Sequence, residues 1–191
     1  MRKLLDKFNY LIVVNKEERI PDNYEDSLEL INVKNVWNDE IKIEKRTYLK
    51  FIELKKELEK ENVYIEIESV YRSVKEQQEL WDSWIKEKGL DYVKKTVAVP
   101  GYSEHHTGLA IDICIRKNNK LIFINEEMFK EEEIFSKIHK KLYLFGFILR
   151  YPKGKENITG YSYEPWHLRY IGDIKIAKEI YLKDLTLEEY L

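Results

Sequence analysis

An aspartate inside an apolar strand is the feature that most constrains how this chain can fold. Residues 109–115 alternate Leu and Ile with Ala110, Asp112 and Cys114, a period of two that predicts a strand. A carboxylate between Ala110 and Cys114 is expensive to bury unless it is paired or binds a metal ion. The fold must therefore bring a neutralising partner to Asp112.

Two short stretches supply candidate partners for this carboxylate. Residues 103–112 read SEHHTGLAID and residues 164–167 read EPWH. Together they offer His105, Asp112 and His167 as metal ligands and Glu164 as a base. Gly108 lets the chain turn, so that His105 and Asp112 can converge on one point. A catalytic zinc keeps three protein ligands and one open position, so the joint pattern favours a hydrolase.

The second stretch carries a geometric requirement. Pro165 argues against a helix interior, and the aromatic residues around it favour an extended segment. Strand alternation would place Glu164 and His167 on opposite faces, because their separation is odd. We therefore expect a bulge or bend at Pro165. Taken alone, a histidine in such a segment is usually a structural core residue, and only the pairing with the upstream stretch makes the signal strong.

Composition bounds the class of protein. With 191 residues and 43% hydrophobic content, the chain can bury one sizeable core, and we expect a single domain over residues 1–191. Lys and Arg number 33 against 35 Asp and Glu, with no long block of one sign, so nucleic acid is not an expected partner. The sequence leaves the oligomeric state open.

The chain offers little evidence about its compartment. Its single cysteine, Cys114, excludes an intrachain disulfide and leaves the redox environment undetermined. The apolar run at residues 10–14 is too short for a signal-peptide core, and we expect no transmembrane segment. The chain as written is expected to be cytoplasmic, or extracellular or membrane-anchored if a leader has been trimmed from it.

Periodicity predicts the remaining elements. We expect helices over residues 44–60, 73–89, 126–146 and part of 172–191, and strands over residues 63–67, 121–124 and 147–152. Ser73 and Glu76 form a capping-box pattern, and Gly89 is a C-terminal signal. Arg72 precedes this helix and Gln77 lies on its apolar face, so both could point into a cleft. Alternatively, Arg72 pairs with a surface carboxylate and Gln77 bonds to backbone.

These residues resemble the zinc D,D-carboxypeptidases and D,D-dipeptidases of vancomycin resistance, of the VanY and VanXY types. The motifs that carry the resemblance are SVYRS with Gln77, SEHHTGLAID, GFILRYP at residues 146–152, and GYSYEPWHLRY at residues 160–170. One departure is His106, where relatives often carry Gln. The spacing of the motif favours His105 as the ligand.

The resemblance implies an α+β fold of the hedgehog and D-Ala-D-Ala-peptidase type, with a central, mostly antiparallel sheet and packed helices. It implies Zn2+ held by His105, Asp112 and His167, with Glu164 as catalytic acid and base. It further implies that Arg72 stabilises the oxyanion. Ser103 and Gln77 are implied to bind the terminal carboxylate of the substrate.

The implied reaction is removal of the C-terminal D-Ala from peptidoglycan precursors that end in D-Ala-D-Ala, or from the free dipeptide. Two alternatives stay open. An L,D-carboxypeptidase or phage-type peptidoglycan endopeptidase would use the same zinc chemistry on another bond. A zinc-binding module without catalysis would share the fold, but a purely structural zinc has no need for the base Glu164.

Overall fold

Seven strands form the β-structure of the described part of the chain. The computed structural model describes residues 8–191. The strands are β1 (Leu30–Lys34), β2 (Glu40–Glu44), β3 (Tyr64–Ser69), β4 (Ala110–Lys117), β5 (Lys120–Ile122), β6 (Phe147–Leu149) and β7 (His167–Tyr170).

Eight α-helices accompany the strands within residues 8–191. They are α1 (Lys45–Glu59), α2 (Val74–Lys88), α3 (Leu90–Thr96), α4 (Asn125–Met128), α5 (Glu132–Leu142), α6 (Glu156–Thr159), α7 (Ile174–Lys183) and α8 (Leu187–Tyr190). Among these described helices, none combines the length and the apolar composition that crossing a bilayer demands.

The main sheet is antiparallel throughout. Its order is β3-β4-β7-β6, and β5 pairs with the far end of β4, while β1 and β2 form a separate hairpin. The expected α+β fold with a central antiparallel sheet is confirmed. The central position of β4 decides where the site lies, because its neighbours β3 and β7 contribute the residues beside Asp112.

One face of β4 belongs to the hydrophobic core. Ile111, Ile113 and Ile115 are fully buried and share a cluster with Phe51 and Leu54 of α1. A second, smaller cluster joins β6 to α7 and α8. Because strand side chains alternate, Asp112 lies on the opposite face of β4 from this core.

Helix α2 begins and ends as its sequence predicts. Ser73 and Glu76 form a complete capping box, and the helix terminates at Gly89. Gln77 is 1% exposed, so the polar residue on the apolar face points inward. The capping box fixes the start of α2 directly after Arg72 and thereby the position of that side chain.

The predicted helix over residues 126–146 is wrong as one element. The chain forms α4, leaves the helix at residues 129–131, and then forms α5 and a short 3-10 turn, Tyr143–Phe145. At the break, the ring of Phe129 packs against Trp166 and Tyr163, with ring centroids 5.2 and 6.1 Å away. These tertiary contacts lie outside what helical periodicity can predict.

Candidate metal centre

Two of the candidate ligands face each other across neighbouring strands. Asp112 on β4 and His167 at the start of β7 are direct partners in the antiparallel register. Side chains of such a pair lie on the same face of the sheet. The Oδ1 atom of Asp112 lies 2.9 Å from Nδ1 of His167.

The third candidate ligand reaches the same point from a turn. His105 lies in a short 3-10 helix, Glu104–Thr107, which ends at Gly108 with φ of 70°. Its Nε2 atom lies 3.0 Å from Oδ2 of Asp112. Its Nδ1–H donates to the carbonyl of Val70 at 2.6 Å, which leaves Nε2 free to bind a metal. The structure thus brings together the three residues that the sequence singles out.

The donor atoms of this group fit a metal ion. One ligand atom from each of His105, Asp112 and His167 lies within 4.8 Å of the other two. Tetrahedral zinc with bonds of about 2.1 Å places its ligand atoms about 3.4 Å apart. The separations of Asp112 oxygens from His105 Nε2 and His167 Nδ1, 3.0 and 2.9 Å, are slightly shorter than this. Two imidazoles and one carboxylate form a typical ligand set for zinc.

A buried oxygen of Asp112 also points to a cation. His167 donates its Nε2–H to Oε2 of Glu104 at 2.8 Å, so Nδ1 is the ring nitrogen that faces Asp112. Oδ1 of Asp112 is buried and accepts no hydrogen bond from any described residue. Two facing acceptors 2.9 Å apart need a proton or a metal between them. The site can therefore hold a cation at this point.

The electrostatics of the group agree with this conclusion. Burial raises the pKa of Asp112, but the charges of His105 and His167 outweigh burial and hold that pKa well below its usual range. Burial lowers the pKa of His167, yet Asp112 and Glu104 raise it to about 10. The carboxylates thus create a strong local demand for positive charge, which a divalent ion can meet.

His106 and Cys114 lie near the site and belong to residue types that bind metals, but both have other contacts. The Nδ1–H of His106 donates to the carbonyl of Arg72 at 2.6 Å, and Gly101 N–H donates to Nε2 at 3.0 Å. Both ring nitrogens of His106 are therefore occupied. Burial raises the pKa of the Cys114 thiol to about 12, and Sγ contacts the carbonyl of Glu66.

A turn at Pro165 brings Glu164 to the same side as His167. The amide of His167 donates to the carbonyl of Glu164 at 3.2 Å, and Oε2 of Glu164 lies 3.7 Å from Nδ1 of His167. The expected bend is therefore present. Burial, together with Asp112 and Glu104 and against the opposing charge of His167, raises the pKa of Glu164 to about 7. Such a carboxyl can both accept and return a proton near neutral pH.

Arg72 is held beside the metal ligands by its backbone and its side chain. Its amide donates to the carbonyl of His105 at 3.2 Å. Its Nη1 and Nη2 atoms donate to Gln77 Oε1 at 2.9 Å and to Ser69 Oγ at 3.2 Å. Burial lowers its pKa, which Asp112 partly offsets. The guanidinium therefore faces the cleft as a preorganised cation.

The two candidate carboxylate-binding residues differ in how much hydrogen-bonding capacity they retain. Gln77 accepts from Arg72 and donates one N–H to the carbonyl of Ala98 at 2.7 Å, which leaves its second N–H. Ser103 is 4% exposed, and within residues 8–191 its hydroxyl has no hydrogen-bond partner. Both residues line the same cleft, which has a volume of about 450 Å³.

Glu68 is a cleft residue that sequence reasoning missed. The register of β3 against β4 shifts between Ile67 and Ser69, so Glu68 is the extra residue of a β-bulge opposite Asp112. Burial and the charge of Asp112 raise the pKa of Glu68 to about 7. The sequence does place Glu68 on the polar face of an alternating strand, which is a signal for a residue outside the core. The bulge that turns Glu68 into the cleft has no sequence signature here.

Glu104 was missed as well. It is fully buried and accepts hydrogen bonds from His167, Arg150 and Arg169. A signal for this cluster did exist, because Arg150 interrupts an apolar strand and a buried arginine requires a buried anion. The sequence alone offered no way to choose Glu104 as that anion.

Curated relatives resemble the chain along most of its length. It is 45% identical over 120 residues to VanXYC of Enterococcus gallinarum, a bifunctional D-Ala-D-Ala dipeptidase and carboxypeptidase, covering 63% of this chain and 62% of that protein. It is 37% identical over 190 residues to a D-alanyl-D-alanine carboxypeptidase of Enterococcus faecalis (strain ATCC 700802 / V583), covering 95% and 65%. The chain thus spans somewhat less than two thirds of both relatives.

Solved structures share the fold. The L,D-carboxypeptidase LdcB matches with a TM-score of 0.83 and 41% identity, covering 95% of this chain and 85% of that one. The D,D-pentapeptidase VanY of a VanB-type resistance cassette, in complex with Zn(II), matches at 0.77 and 36%, covering 95% and 98%. VanYB in complex with D-Ala-D-Ala matches at 0.73 and 35%, covering 95% and 96%.

The central part of the sequence also matches a protein family. Residues 40–173 match VanY, described as D-alanyl-D-alanine carboxypeptidase, and this range contains every residue of the metal centre. Family match, relatives and shared fold agree with one another. The chain therefore belongs to the VanY family of D-alanyl-D-alanine carboxypeptidases.

Proposed function

We propose that this chain is a zinc-dependent D,D-carboxypeptidase that removes the terminal D-Ala from peptidoglycan precursors ending in D-Ala-D-Ala, and that it also cleaves the free dipeptide. The observation that carries the proposal is the convergence of His105, Asp112 and His167 on one point beside Glu164. The complex of VanYB with D-Ala-D-Ala supports the choice of substrate. In this proposal residues 1–191 form a single peptidase domain.

Zinc is the metal that the proposal assigns to the site. The ligand atoms would be Nε2 of His105, Nδ1 of His167 and a carboxylate oxygen of Asp112. The related VanY structure with Zn(II) supports this choice. When bound, zinc supplies Lewis acidity, which lowers the pKa of water and polarises a carbonyl group.

Glu164 moves the protons in this mechanism. Its pKa of about 7 suits a group that accepts the proton of the attacking water and then donates it to the leaving amine. It lies beside the ligand set without belonging to it. Arg72, fixed by Gln77 and Ser69, stabilises the negative charge that develops on the scissile carbonyl oxygen.

Ser103 and Gln77 are proposed to bind the terminal carboxylate of the substrate. The support is the uncommitted hydroxyl of Ser103 and the remaining N–H of Gln77, both in the cleft. Because Gln77 also bonds to Arg72, it would couple carboxylate binding to the position of the guanidinium. Loss of either side chain should therefore raise KM for substrates with a free carboxylate.

A second candidate function is L,D-carboxypeptidase activity. The similarity to LdcB in sequence and fold favours it, and the metal centre would act in the same way on an L,D peptide bond. The two candidates differ in the stereochemistry of the residue before the scissile bond. Substrates with matched sequences distinguish them.

The deciding experiment is mass-spectrometric product analysis of the zinc-loaded protein with free D-Ala-D-Ala, a pentapeptide ending in D-Ala-D-Ala, and the corresponding tetrapeptide. Release of D-Ala from the dipeptide and the pentapeptide is expected. Cleavage of the tetrapeptide alone would establish the L,D activity instead. The absence of any product from a zinc-loaded, folded protein would contradict both carboxypeptidase activities and leave an endopeptidase that cuts another peptidoglycan bond or a zinc-binding module.

The variant Glu164→Gln tests the assigned base. It keeps the size of the side chain and removes its ability to accept a proton, so turnover should fall by about 10²- to 10⁴-fold while zinc content stays at the wild-type level. Metal analysis and kcat measured on the same preparation provide the check. Wild-type kcat in this variant would contradict the role of Glu164.

A further inference from the structure

A fully buried carboxylate stands directly behind one of the proposed metal ligands. Glu104 is 2% exposed, and its Oε2 accepts the Nε2–H of His167 at 2.8 Å. Its other oxygen, Oε1, accepts from Nη1 of Arg169 at 2.6 Å and from Nε of Arg150 at 2.5 Å. Both oxygens of this carboxylate thus accept hydrogen bonds in the interior, three bonds in all.

We propose that Glu104 is a positioning residue for His167, and that the C-terminal helix α8 supports it through an ion pair between Glu188 and Arg150. This inference rests on the proposed function, because it assigns His167 as a zinc ligand. It adds a dependence of the metal centre on a residue, Glu188, that lies outside the cleft.

The first step of the argument is the position of the proton on His167. Both oxygens of Glu104 lie within hydrogen-bond distance of N–H donors, Oε1 of the arginines Arg150 and Arg169 and Oε2 of His167. In this arrangement Glu104 acts as an acceptor in each of the three contacts. A proton of His167 must therefore lie on Nε2, and Nδ1 is the ring nitrogen that faces Asp112 and would bind the metal.

The second step concerns ligand strength. A carboxylate that accepts the N–H of a metal-binding imidazole fixes the tautomer and orientation of the ring and raises its basicity. The other ligand histidine has a weaker partner of this kind, because His105 donates to the neutral carbonyl of Val70. His167 is therefore the ligand whose strength depends on a charged partner.

The third step connects this carboxylate to α8. Arg150 forms two hydrogen bonds to Glu188, Nη1 to Oε2 at 2.9 Å and Nη2 to Oε1 at 2.6 Å. Glu188 Oε1 also accepts from Nδ2 of Asn15 at 3.2 Å. Removal of the Glu188 charge would leave Arg150 with Glu104 as its remaining anionic partner and draw that carboxylate away from His167.

The network also holds the N-terminal segment. Nη2 of Arg169 donates to the carbonyls of Tyr10 and Ile12 at 2.9 and 2.7 Å. Arg150 and Arg169 carry two positive charges, and Glu104 and Glu188 carry two negative charges. Without His167, this cluster of four side chains therefore has no net charge. Each single neutralisation within it therefore leaves a net charge close to the proposed ligand.

The test is the zinc affinity of the full chain, measured by competition with a chromophoric chelator, for Glu104→Gln, Glu188→Gln and the control Glu189→Gln. Glu189 lies on the same helix, caps it with Thr186 and pairs with Lys155 instead of Arg150. Glutamine preserves that cap, so the control should bind zinc like the wild type.

Glu104 contacts His167 directly and Glu188 acts through Arg150, so Glu104→Gln should lose more zinc affinity than Glu188→Gln. Zinc binding should weaken about 10- to 100-fold in Glu104→Gln, as for other partners of metal-binding histidines, and by a smaller factor in Glu188→Gln. Cobalt-substituted Glu104→Gln should show a shifted d–d absorption spectrum, because the ligand field of His167 changes. A purely structural role would leave both the affinity and this spectrum unchanged in the folded protein.

Outcomes that contradict the inference are distinct from those that contradict the proposed function. Wild-type zinc affinity in folded Glu104→Gln and Glu188→Gln, with D-Ala release intact, would overturn the inference alone. A wild-type chain that takes up no zinc would overturn both. If Glu104→Gln does not fold, Glu188→Gln against its control decides the question, and equal affinities for that pair would refute the inference.

Discussion

Neighbouring histidines differ in what their ring nitrogens can still bind. His105 donates from Nδ1 and keeps Nε2 free beside Asp112, whereas His106 uses Nδ1 for Arg72 and Nε2 for Gly101. The sequence motif favoured His105 by spacing alone. The hydrogen bonds give the physical reason, because an imidazole with both nitrogens occupied has no lone pair for a metal.

Substitution of each histidine by alanine should therefore have different consequences. His105→Ala should lose zinc, since one of three ligands disappears. His106→Ala should retain zinc but lower kcat, because it frees the backbone of Arg72. Metal analysis with kcat for both purified variants is the measurement. Zinc loss in His106→Ala with zinc retained in His105→Ala would reassign the ligand.

Glu68 makes the stability of the zinc-free protein depend on pH. Its pKa rises from 4.5 to about 7 on folding, through burial and the charge of Asp112. A carboxyl whose pKa is raised in the folded state contributes stability below its unfolded pKa, and that contribution is lost as pH rises through the folded pKa. Stability attributable to Glu68 should therefore decline between pH 4.5 and about 7.

Glu68→Gln should remove this decline. We expect the zinc-free variant to become more stable than the wild type as pH rises through this interval, by about 1 kcal/mol after allowance for solvent screening. Urea unfolding at several pH values measures the difference. A constant difference across the interval would contradict the assigned pKa.

At the level of elements, the turn that ends at Gly108 determines whether His105 can meet Asp112. Gly108 has φ of 70°, and a Cβ atom there would lie 3.3 Å from Cβ of Glu44. Gly154 has a similar φ of 84°, but no heavy atom lies within 4 Å of the corresponding position. Alanine substitutions at the two glycines therefore distinguish the cost of backbone strain, which both share, from the cost of crowding, which arises only at Gly108.

Gly154→Ala should lower the free energy of unfolding by about 1–2 kcal/mol, which is the cost of holding an alanine in the left-handed conformation. Gly108→Ala should cost more than this and should also weaken zinc binding, because Glu44 or His105 must shift. Thermal unfolding and zinc titration of both variants give the comparison. Equal stability losses with unchanged zinc affinity would show that the tight turn does not position His105.

Local sequence signals predicted some elements well and others poorly. The capping box at Ser73 and the terminal Gly89 bound α2 correctly because both are local backbone effects. The helix over residues 126–146 failed because Phe129 is engaged by the aromatic side chains of Tyr163 and Trp166, which are distant in sequence. The sequence also did not predict the bulge at Glu68, because this bulge depends on how β3 pairs with β4.

For the whole molecule, the buried ion network joins both described ends of the chain to the sheet. Arg150 and Glu104 are fully buried, and removal of one partner of a buried pair leaves an uncompensated charge. Arg150→Met should therefore destabilise the protein by about 3–5 kcal/mol. Lys155→Met, which removes a more exposed pair with Glu189, should cost about 1 kcal/mol or less.

Urea unfolding of the zinc-free proteins compares these variants without the contribution of metal binding. Similar losses for Arg150→Met and Lys155→Met would show that the network adds no more than a surface ion pair. The sequence predicted the inner residues of the site but not this outer network. Glu104, Arg150 and Arg169 lie within the quoted motifs, but no spacing pattern indicates that they pair with one another, because these contacts form only in the tertiary fold.

The most direct test of the central claim is anomalous diffraction at the zinc absorption edge from crystals of the zinc-loaded protein. We predict one strong peak bonded to Nε2 of His105, Nδ1 of His167 and a carboxylate oxygen of Asp112, at about 2.0–2.2 Å. Glu164 should lie near the peak without bonding to it. A peak held by His106, or by residues outside this group, would contradict the proposed metal centre.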